Sequence, residues 1–293
     1  MNAKIDLNLD FKILTLGVVS ILFLGLNSIF CKLALVNSYA DAYTFTLLRV
    51  IFATITLMLI YFIKHKDIKI ELKKNWFSGF ALFLYAISFS YSYLSLDAGF
   101  GTLLLFAVVQ IAMLSVSIFF KEKFNIYKII GVNIAFAGLI YLLYPKQEFS
   151  VDLFYAFLMV VAGLAWAAYS IFGKSSSDAL FNTMDNFIKA TIFATIFLVF
   201  VDINLTFVTF EGMIYAFLSG SITSGLGYLM WYSLLPKMQI NTAGILQLLV
   251  PLISIVLSVL FLDEVLTQTL IISSILVCFG VLITFKKVKE KIL

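Results

Sequence analysis

Residues 104–122, LLFAVVQIAMLSVSIFFKE, return in related form at residues 246–264, LQLLVPLISIVLSVLFLDE. The two stretches align without a gap at a shift of 142 residues, and Glu122 falls on Glu264. Each contains an apolar run of about the 20 residues that a helix needs to cross the hydrocarbon layer of a bilayer. The chain therefore repeats a membrane-spanning pattern after nearly half its length.

The same shift relates two shorter motifs. The Ser-Ile-Phe-x-Lys of residues 28–32, within LGLNSIFCKLAL, recurs at residues 170–174, within AWAAYSIFGKSS. After a gap of one residue, the Phe-Ala-Thr of residues 52–54 recurs at residues 193–195. We therefore predict two repeat domains, 1–146 and 147–293.

The composition is typical of a polytopic membrane protein. Of 293 residues, 62% are hydrophobic and only 12% are charged, whereas a soluble domain is about a quarter charged. Two runs, 42–63 and 183–201, reach spanning length only if they tolerate internal charges. The uncharged runs cover residues 13–31, 75–96, 98–120, 129–145, 153–173, 212–236, 238–262 and 265–285. We predict an all-α polytopic membrane protein with ten transmembrane helices, the first of which (13–36) is retained.

Basic residues favour one orientation. With ten alternating helices, all 20 basic residues except Lys32, Arg49 and Lys146 fall on the side of the N-terminus or, for Lys189, within a span. The opposite loops carry mainly acidic residues. Because cytoplasmic loops are enriched in Lys and Arg, we predict a protein of the cell (inner) membrane with both termini cytoplasmic.

Five helices per half is an odd number, so the second repeat must enter the membrane inverted. Inverted repeats are the usual architecture of secondary transporters, with the substrate site where the halves meet. No phosphate-binding glycine loop is present, so ATP is not expected to drive transport. A channel or a non-transporting receptor is the alternative.

A membrane-embedded enzyme is disfavoured, because such chemistry needs clustered acids, histidines or an activated nucleophile. The single histidine, His65, lies in a lysine-rich loop. Cys31 and Cys278 belong to no spaced ligand motif. We therefore expect no catalytic residues, metal or cofactor, and no nucleic-acid partner; the partners are a small-molecule substrate and the lipid bilayer.

The spacing of polar residues in helices 1 and 2 resembles the sequence pattern of a known protein family. Gly25, Asn27 and Lys32, followed by Arg49, resemble the Trp-Gly-x-Asn-x-x-x-x-Lys…Arg pattern of EamA-type transporters in the drug/metabolite transporter superfamily, with Leu24 replacing the tryptophan. Further matches are Trp166, Ala167 and Tyr169 in helix 6 and Pro251, Phe261, Leu262 and Glu264 in helix 9. The resemblance covers the whole chain and implies transport; because the family comprises mostly exporters of amino acids and other small metabolites, we expect such an exporter, with the cargo left open. It also implies peripheral helices 5 and 10, through which a homodimer is possible.

Charged residues within spans are the first candidates for a site. Arg49 lies roughly 10 Å into helix 2 at 1.5 Å per residue, and a charge there must face protein, water or a partner. It can bind a substrate carboxylate bidentately, or it can bond loop carbonyls or Asp41. Lys189, with Asn186 nearby, occupies almost the same place in the inverted half. An ion pair with Asp185 is its alternative role.

Helix 9 carries a helix breaker beside a polar side chain. Pro251 removes the hydrogen bond to the carbonyl of Gln247, so we expect an interruption there, which either serves substrate or is satisfied locally. Gln110, one residue past the position equivalent to Pro251, predicts a mirrored polar group on helix 4.

Aromatic residues complete the prediction. Tyr85 and Ser88 share a face of helix 3, and helix 8 combines small residues, which favour close helix packing, with aromatic ones. For Trp231 and Tyr232 the alternative is the interfacial aromatic belt. Snorkelling to the headgroups is the alternative for Lys32 and Lys174. The predicted substrate-binding residues are Asn27, Arg49, Tyr85, Ser88, Gln110, Trp166, Tyr169, Asn186, Lys189, Tyr228 and Gln247.

Overall fold

The computed structural model describes residues 7–71, 73–120, 126–143, 152–203 and 206–284. Within these ranges the regular secondary structure is helical, and one isolated antiparallel bridge joins Ala40 and Val208. The described residues form ten helical stretches, numbered α1 to α10. The all-α prediction is confirmed for this part of the chain.

The helices occupy the predicted positions. The first seven are α1 Leu7–Val36, α2 Ala42–His65, α3 Trp76–Ser92, α4 Ala98–Phe119, α5 Ile126–Leu143, α6 Leu153–Gly173 and α7 Ala179–Phe197, with a 3₁₀ turn Leu198–Phe200. The stretch α8 joins Phe210–Phe217, a π-helical segment Leu218–Leu226, Gly227–Leu234 and a 3₁₀ turn Leu235–Lys237. The last two are α9, made of Ile240–Gln247 and Leu249–Leu262, and α10 Gln268–Thr284.

Seven stretches are long and apolar enough to cross a membrane by themselves. They are Thr15–Val36, Ala42–His65, Ala98–Phe119, Leu153–Gly173, Ala179–Phe200, Phe210–Lys237 and Thr242–Leu262. The chain is therefore a multi-pass membrane protein. Because the other three helices are shorter, the count of ten spans stays a prediction.

The two ends of the bundle differ in charge. The loop between α2 and α3 carries the lysines at positions 66, 69, 73 and 74, and we call this side the lysine-rich end. At the opposite side, the acidic end, Glu264 accepts hydrogen bonds from the backbone N–H groups of Ala98 (2.5 Å) and Gly99 (3.0 Å). A carboxylate is favourable there because it meets the positive end of the α4 dipole.

The packing of the helices follows the sequence repeat. Helix α1 packs on α8 and α9, and its counterpart α6 packs on α3 and α4, which are the counterparts of α8 and α9. The pairs α2–α7, α4–α9 and α5–α10 each join a helix to its own counterpart. The two halves therefore interdigitate, and the centre of the bundle is built from both.

The repeated lysines have the same contact in each half. Lys32 Nζ donates to the carbonyl oxygen of Tyr93 (3.2 Å), just past the end of α3, and Lys174 Nζ donates to that of Met238 (2.7 Å), just past the end of α8. The snorkelling interpretation is wrong for Lys32, which is buried. A cation at a helix C-terminus satisfies free carbonyls and complements the helix dipole. The repeated motif thus joins helices 1 and 3 and helices 6 and 8.

Replacing Lys32 by methionine is expected to lower the stability by about 1–2 kcal/mol, because a buried carbonyl loses its charged donor. Thermal unfolding of the detergent-purified protein measures the change. The exposed Lys69→Met is the control and should unfold like the unmodified chain. Equal effects of the two replacements would contradict the capping role.

Two glycines allow helices of opposite halves to approach closely. A Cβ on Gly220, in the π-helical segment of α8, would collide with the carbonyl oxygen of Arg49 on α2. A Cβ on Gly79, its counterpart in α3, would lie 2.5 Å from the Cβ of Lys189 on α7. Small residues serve such contacts in membranes. The packing predicted for the small residues of helix 8 is confirmed at Gly220.

Candidate functional site

The guanidinium of Arg49 lies at the centre of the interdigitated bundle and is 1% exposed. Its Nε donates to Ser224 Oγ (3.0 Å), and its Nη2 donates to the hydroxyls of Tyr85 (3.2 Å) and Tyr228 (2.7 Å). Within the described part of the chain, no carboxylate lies within 4.0 Å of it, and its Nη1 has no hydrogen-bond partner. Among the described residues, Arg49 is thus a buried cation without a counter-ion, and its Nη1 group is free to donate.

Asn27 of α1 organises the same group. Its Nδ2 lies 3.2 Å from each of the Tyr85 and Tyr228 hydroxyls, and its Oδ1 accepts from Ser219 Oγ (2.6 Å) and Thr223 Oγ1 (3.2 Å). The two tyrosine hydroxyls are 2.9 Å apart. Four helices, α1, α2, α3 and α8, therefore converge on one polar network. The Asn27 amide thus bonds both tyrosines beside Arg49 and is itself bonded by two hydroxyls of α8.

Aromatic rings surround this network. The ring of Trp166 on α6 lies 4.9 Å from that of Tyr85 and 4.6 Å from that of Tyr228. The Arg49 Cζ lies 5.3 Å from the ring centre of Tyr85 and 5.2 Å from that of Phe89. Such contacts stabilise a cation, and more strongly away from water. We name the group of Asn27, Arg49, Tyr85, Trp166, Ser224 and Tyr228 the Arg49 site.

The interruption of α9 connects to this site. Trp166 Nε1 donates a hydrogen bond to Gln247 Oε1, and Gln247 Nε2 donates to the carbonyl of Ala243 (3.3 Å). The helix breaks directly after Gln247, at Leu248, so the interruption predicted near Pro251 is confirmed. Broken helices at the repeat interface are typical of transporter substrate sites.

A column of tyrosines leads from the Arg49 site toward the lysine-rich end. Tyr169 lies 6.3 Å from Tyr228 and 4.6 Å from Tyr232 between ring centres, and the Tyr232 hydroxyl donates to the Tyr169 carbonyl (3.0 Å). Asn186 Nδ2 in turn donates to the Tyr232 hydroxyl (3.2 Å). Beyond Tyr232 and Asn186 opens a vestibule of about 540 Å³, whose other lining includes Glu71, Lys74, Asn75, Ser78, Ser175, Ser176, Ser177, Phe181 and Asn182.

The interfacial-belt interpretation of Trp231 and Tyr232 is wrong. Both are almost fully buried, and Trp231 Nε1 donates to Ser170 Oγ (3.1 Å). Gly173 explains the burial, because its missing side chain lets α6 lie against the Tyr232 ring. Their position near the end of α8 indicated an interface, but α6 covers them.

Lys189 belongs to a different cluster. It forms the predicted ion pair with Asp185 (2.5 Å), and both side chains are buried. Lys189 Nζ also donates to the carbonyl of Glu71 (2.6 Å), in the loop between α2 and α3. The structure therefore places this cation beside a loop at the lysine-rich end rather than in the Arg49 network.

Two other predicted residues also lie outside the Arg49 network. Ser88 is buried on α3, where its backbone carbonyl accepts from Ser92 Oγ (2.7 Å). Gln110 is buried against Gly244, and a Cβ on that glycine would lie 2.5 Å from Gln110 Oε1. Sequence reasoning missed three hydroxyl partners of the network: Ser219 and Thr223, which donate to Asn27, and Ser224, which accepts from Arg49. Their spacing four and five residues before Tyr228 was the available signal for Ser224 and Thr223.

The architecture indicates the class of protein. Two interdigitated repeats enclose a buried site with aromatic and charged residues, an arrangement typical of secondary transporters. The EamA-like transporter family matches the chain twice, at residues 11–144 and 153–286. The chain belongs to this family and is a membrane transporter.

Similar proteins agree with this assignment. The uncharacterized protein PA1977 of Pseudomonas aeruginosa is 34% identical over 93% of this chain and 94% of its own length. The uncharacterized transporter YoaV of Bacillus subtilis is 23% identical (85% and 89% covered), and an uncharacterized transporter of Archaeoglobus fulgidus is 26% identical (71% and 77%). One solved crystal structure shares the fold, with a TM-score of 0.69 at 12% identity over 90% of this chain and 97% of that one.

Proposed function

We propose that this transporter is a secondary exporter of amino acids or related small metabolites, and that Arg49 binds the carboxylate of the cargo. One observation carries the proposal: among the described residues, the buried Arg49 guanidinium has no carboxylate within 4.0 Å and a free Nη1. Burying an uncompensated charge costs several kcal/mol, on the order of 3–5. An anionic cargo group would supply the missing charge and accept from the free N–H.

The contacts of Arg49 orient it for this task. Ser224, Tyr85 and Tyr228 fix the plane of the guanidinium, so the two remaining N–H groups, both on Nη1, keep a defined direction. Arginine suits a carboxylate because it stays charged and its planar donors have fixed directions. Asn27, Trp166, Tyr169 and Gln247 support the site, and Asn186 lies on the path to it. Contacts of Ser88, Gln110 and Lys189 with cargo remain predictions.

The aromatic rings beside Arg49 indicate which kind of side chain the cargo carries. Trp166, Tyr85 and Tyr228 offer apolar faces next to the cation, and small-molecule sites combine such surfaces with a few polar groups. An amino acid presents a carboxylate and a side chain on one carbon. Cargo with an apolar or planar side chain therefore fits the group best.

The orientation supports export. We place the chain in the inner cell membrane with the lysine-rich end in the cytoplasm, because cytoplasmic loops are enriched in lysine and arginine. The vestibule of about 540 Å³ then opens to the cytoplasm, and the tyrosine column leads from it to Arg49. Cargo would load from the cytoplasm and leave through the acidic end once the halves rock around the site.

A two-stage assay tests the proposal. Purified protein is screened by thermal shift against amino acids, aromatic acids, nucleosides, sugar phosphates and cationic drugs. Cargo at 100 times its dissociation constant should stabilise the fold by about 2.7 kcal/mol. We expect amino or aromatic acids to stabilise it, and expect the same compounds to show saturable flux into proteoliposomes.

The same assay distinguishes a carrier from a channel and from a receptor. Non-saturating flux would replace the carrier by a channel, and binding without flux would replace it by a receptor. Stabilisation by cationic drugs alone would contradict the carboxylate proposal, because Arg49 repels a cation.

A further inference from the structure

Two aspartates hold a loop of the opposite half in the same manner. Asp41, in the first half, accepts from the backbone N–H of Phe207 through Oδ2 (2.7 Å), and its own N–H donates to the Phe207 carbonyl (3.2 Å). Asp185, in the second half, accepts from the backbone N–H of Glu71 through Oδ1 (3.3 Å). Phe207 lies between α7 and α8, and Glu71 lies in the equivalent loop between α2 and α3.

At the lysine-rich end the hold on the loop is extensive. Lys189 Nζ donates to the carbonyl of Glu71 (2.6 Å), so the ion pair binds both the backbone N–H and the backbone carbonyl of this residue. Asn75 Nδ2 adds a hydrogen bond to Asp185 Oδ2 (2.8 Å). Hydrogen bonds to ionised groups are roughly twice as strong as neutral ones. A fully buried ion pair therefore serves to fix an exposed loop that lines the vestibule.

At the acidic end the corresponding loop is held by the start of α2. Besides the two bonds between Asp41 and Phe207, the Thr209 N–H donates to the Tyr39 carbonyl (2.7 Å), and a bridge joins Ala40 to Val208. Phe207 thus has both its N–H and its carbonyl bound, as Glu71 does at the other end. The inverted repeat places one clamp at each end of the bundle.

We propose that Asp41 at the acidic end and Asp185 with Lys189 at the lysine-rich end are gate clamps, each of which must release before its end can open. The proposal rests on the proposed alternating access. The structure carries both clamps formed while the Arg49 site is enclosed, which is the arrangement expected between the two open states. Cargo contact is no part of this role, so these are positioning residues.

Hydrogen exchange tests the clamps without any cargo. In Asp185→Asn the Glu71 N–H loses its ionised acceptor, so amides of residues 66–75 should exchange about tenfold faster. Exchange of residues 201–209 should stay equal or slow down, because release at one end favours closure at the other. Asp41→Asn, which retains a helix-capping side chain, should give the reverse pattern.

A second variant guards against misfolding, since Asp185→Asn leaves the buried Lys189 without its partner. Asn75→Gly removes one hydrogen bond to Asp185 and tolerates the left-handed backbone of this position (φ 64°). It should accelerate the 66–75 amides alone. Asp178→Asn is the matched control, because Asp178 caps α7 through the Phe181 N–H and, among the described residues, bonds no loop of the other half.

Faster exchange of both loops together, or unchanged exchange of both, would overturn the proposal. In flux assays Asp41→Asn and Asn75→Gly should change the maximal rate several-fold while cargo affinity stays within about twofold, since neither residue belongs to the Arg49 site. The two proposals fail separately. A wrong cargo class leaves the exchange pattern intact, and saturable flux without the predicted acceleration of a single loop removes the clamps alone.

Discussion

Replacing Arg49 by glutamine is expected to impair transport severely while leaving a folded protein. The replacement removes the buried positive charge and the donors to Ser224, Tyr85 and Tyr228, whereas Asn27 still binds both tyrosines. Losing one member of a buried charge pair costs about 2–5 kcal/mol, so kcat/KM should fall at least roughly 30-fold. Flux into proteoliposomes measures the effect.

Two further variants test whether the loss of transport is specific to the guanidinium group of Arg49. Arg49→Lys keeps the charge but not the planar donors, so it should retain only part of the activity. The exposed Lys69→Gln removes a lysine at the lysine-rich end and should transport normally. Wild-type activity of a folded Arg49→Gln protein would refute the site.

Introducing a single methyl group at Gly220 is expected to destabilise the fold strongly. The new Cβ of Gly220→Ala would meet the backbone carbonyl of Arg49, which cannot rotate away, so α8 must separate from α2. Overpacking costs about 1–3 kcal/mol or more. The unfolding temperature should fall by several degrees, roughly 2–4 °C per kcal/mol. Because Ser224 and Tyr228 lie on the displaced helix, cargo binding should also weaken.

The chain supplies a matched control for this replacement. Gly17 lies in α1 with open space around the position of its Cβ, so Gly17→Ala should leave the unfolding temperature unchanged or raise it slightly. Gly79→Ala, the counterpart on α3, should destabilise the fold through Lys189 but leave the Arg49 network bonded. Equal unfolding temperatures for Gly17→Ala and Gly220→Ala would contradict the close contact between α8 and α2.

The positions of the helices were predictable because each apolar run has to match the thickness of a bilayer. The interruption of α9 was also predictable, since Pro251 removes a backbone hydrogen bond. No sequence pattern predicted the π-helical segment Leu218–Leu226. Small residues permit it, but the contact with α2 that makes it useful depends on residues far away in the chain.

The centre of the site was predictable for a similar reason. Arg49 and Asn27 interrupt apolar spans at an energetic cost, so their presence indicates a partner. The tyrosine partners Tyr85 and Tyr228 were predicted, but the serine partners were not, because Ser219 and Ser224 serve helix packing and hydrogen bonding equally well. Lys189 lies outside the Arg49 network although it was predicted at the equivalent position. The two repeats differ here, because Asp185 forms an ion pair with Lys189.

Binding of a cargo acid and of its carboxamide to the unmodified protein and to Arg49→Gln is the most direct test of the central claim. The amide has the shape of the acid but lacks the negative charge. We predict that the unmodified protein prefers the acid at least about 30-fold and that Arg49→Gln loses this preference. An equal preference for the acid in both proteins would show that Arg49 does not bind the carboxylate.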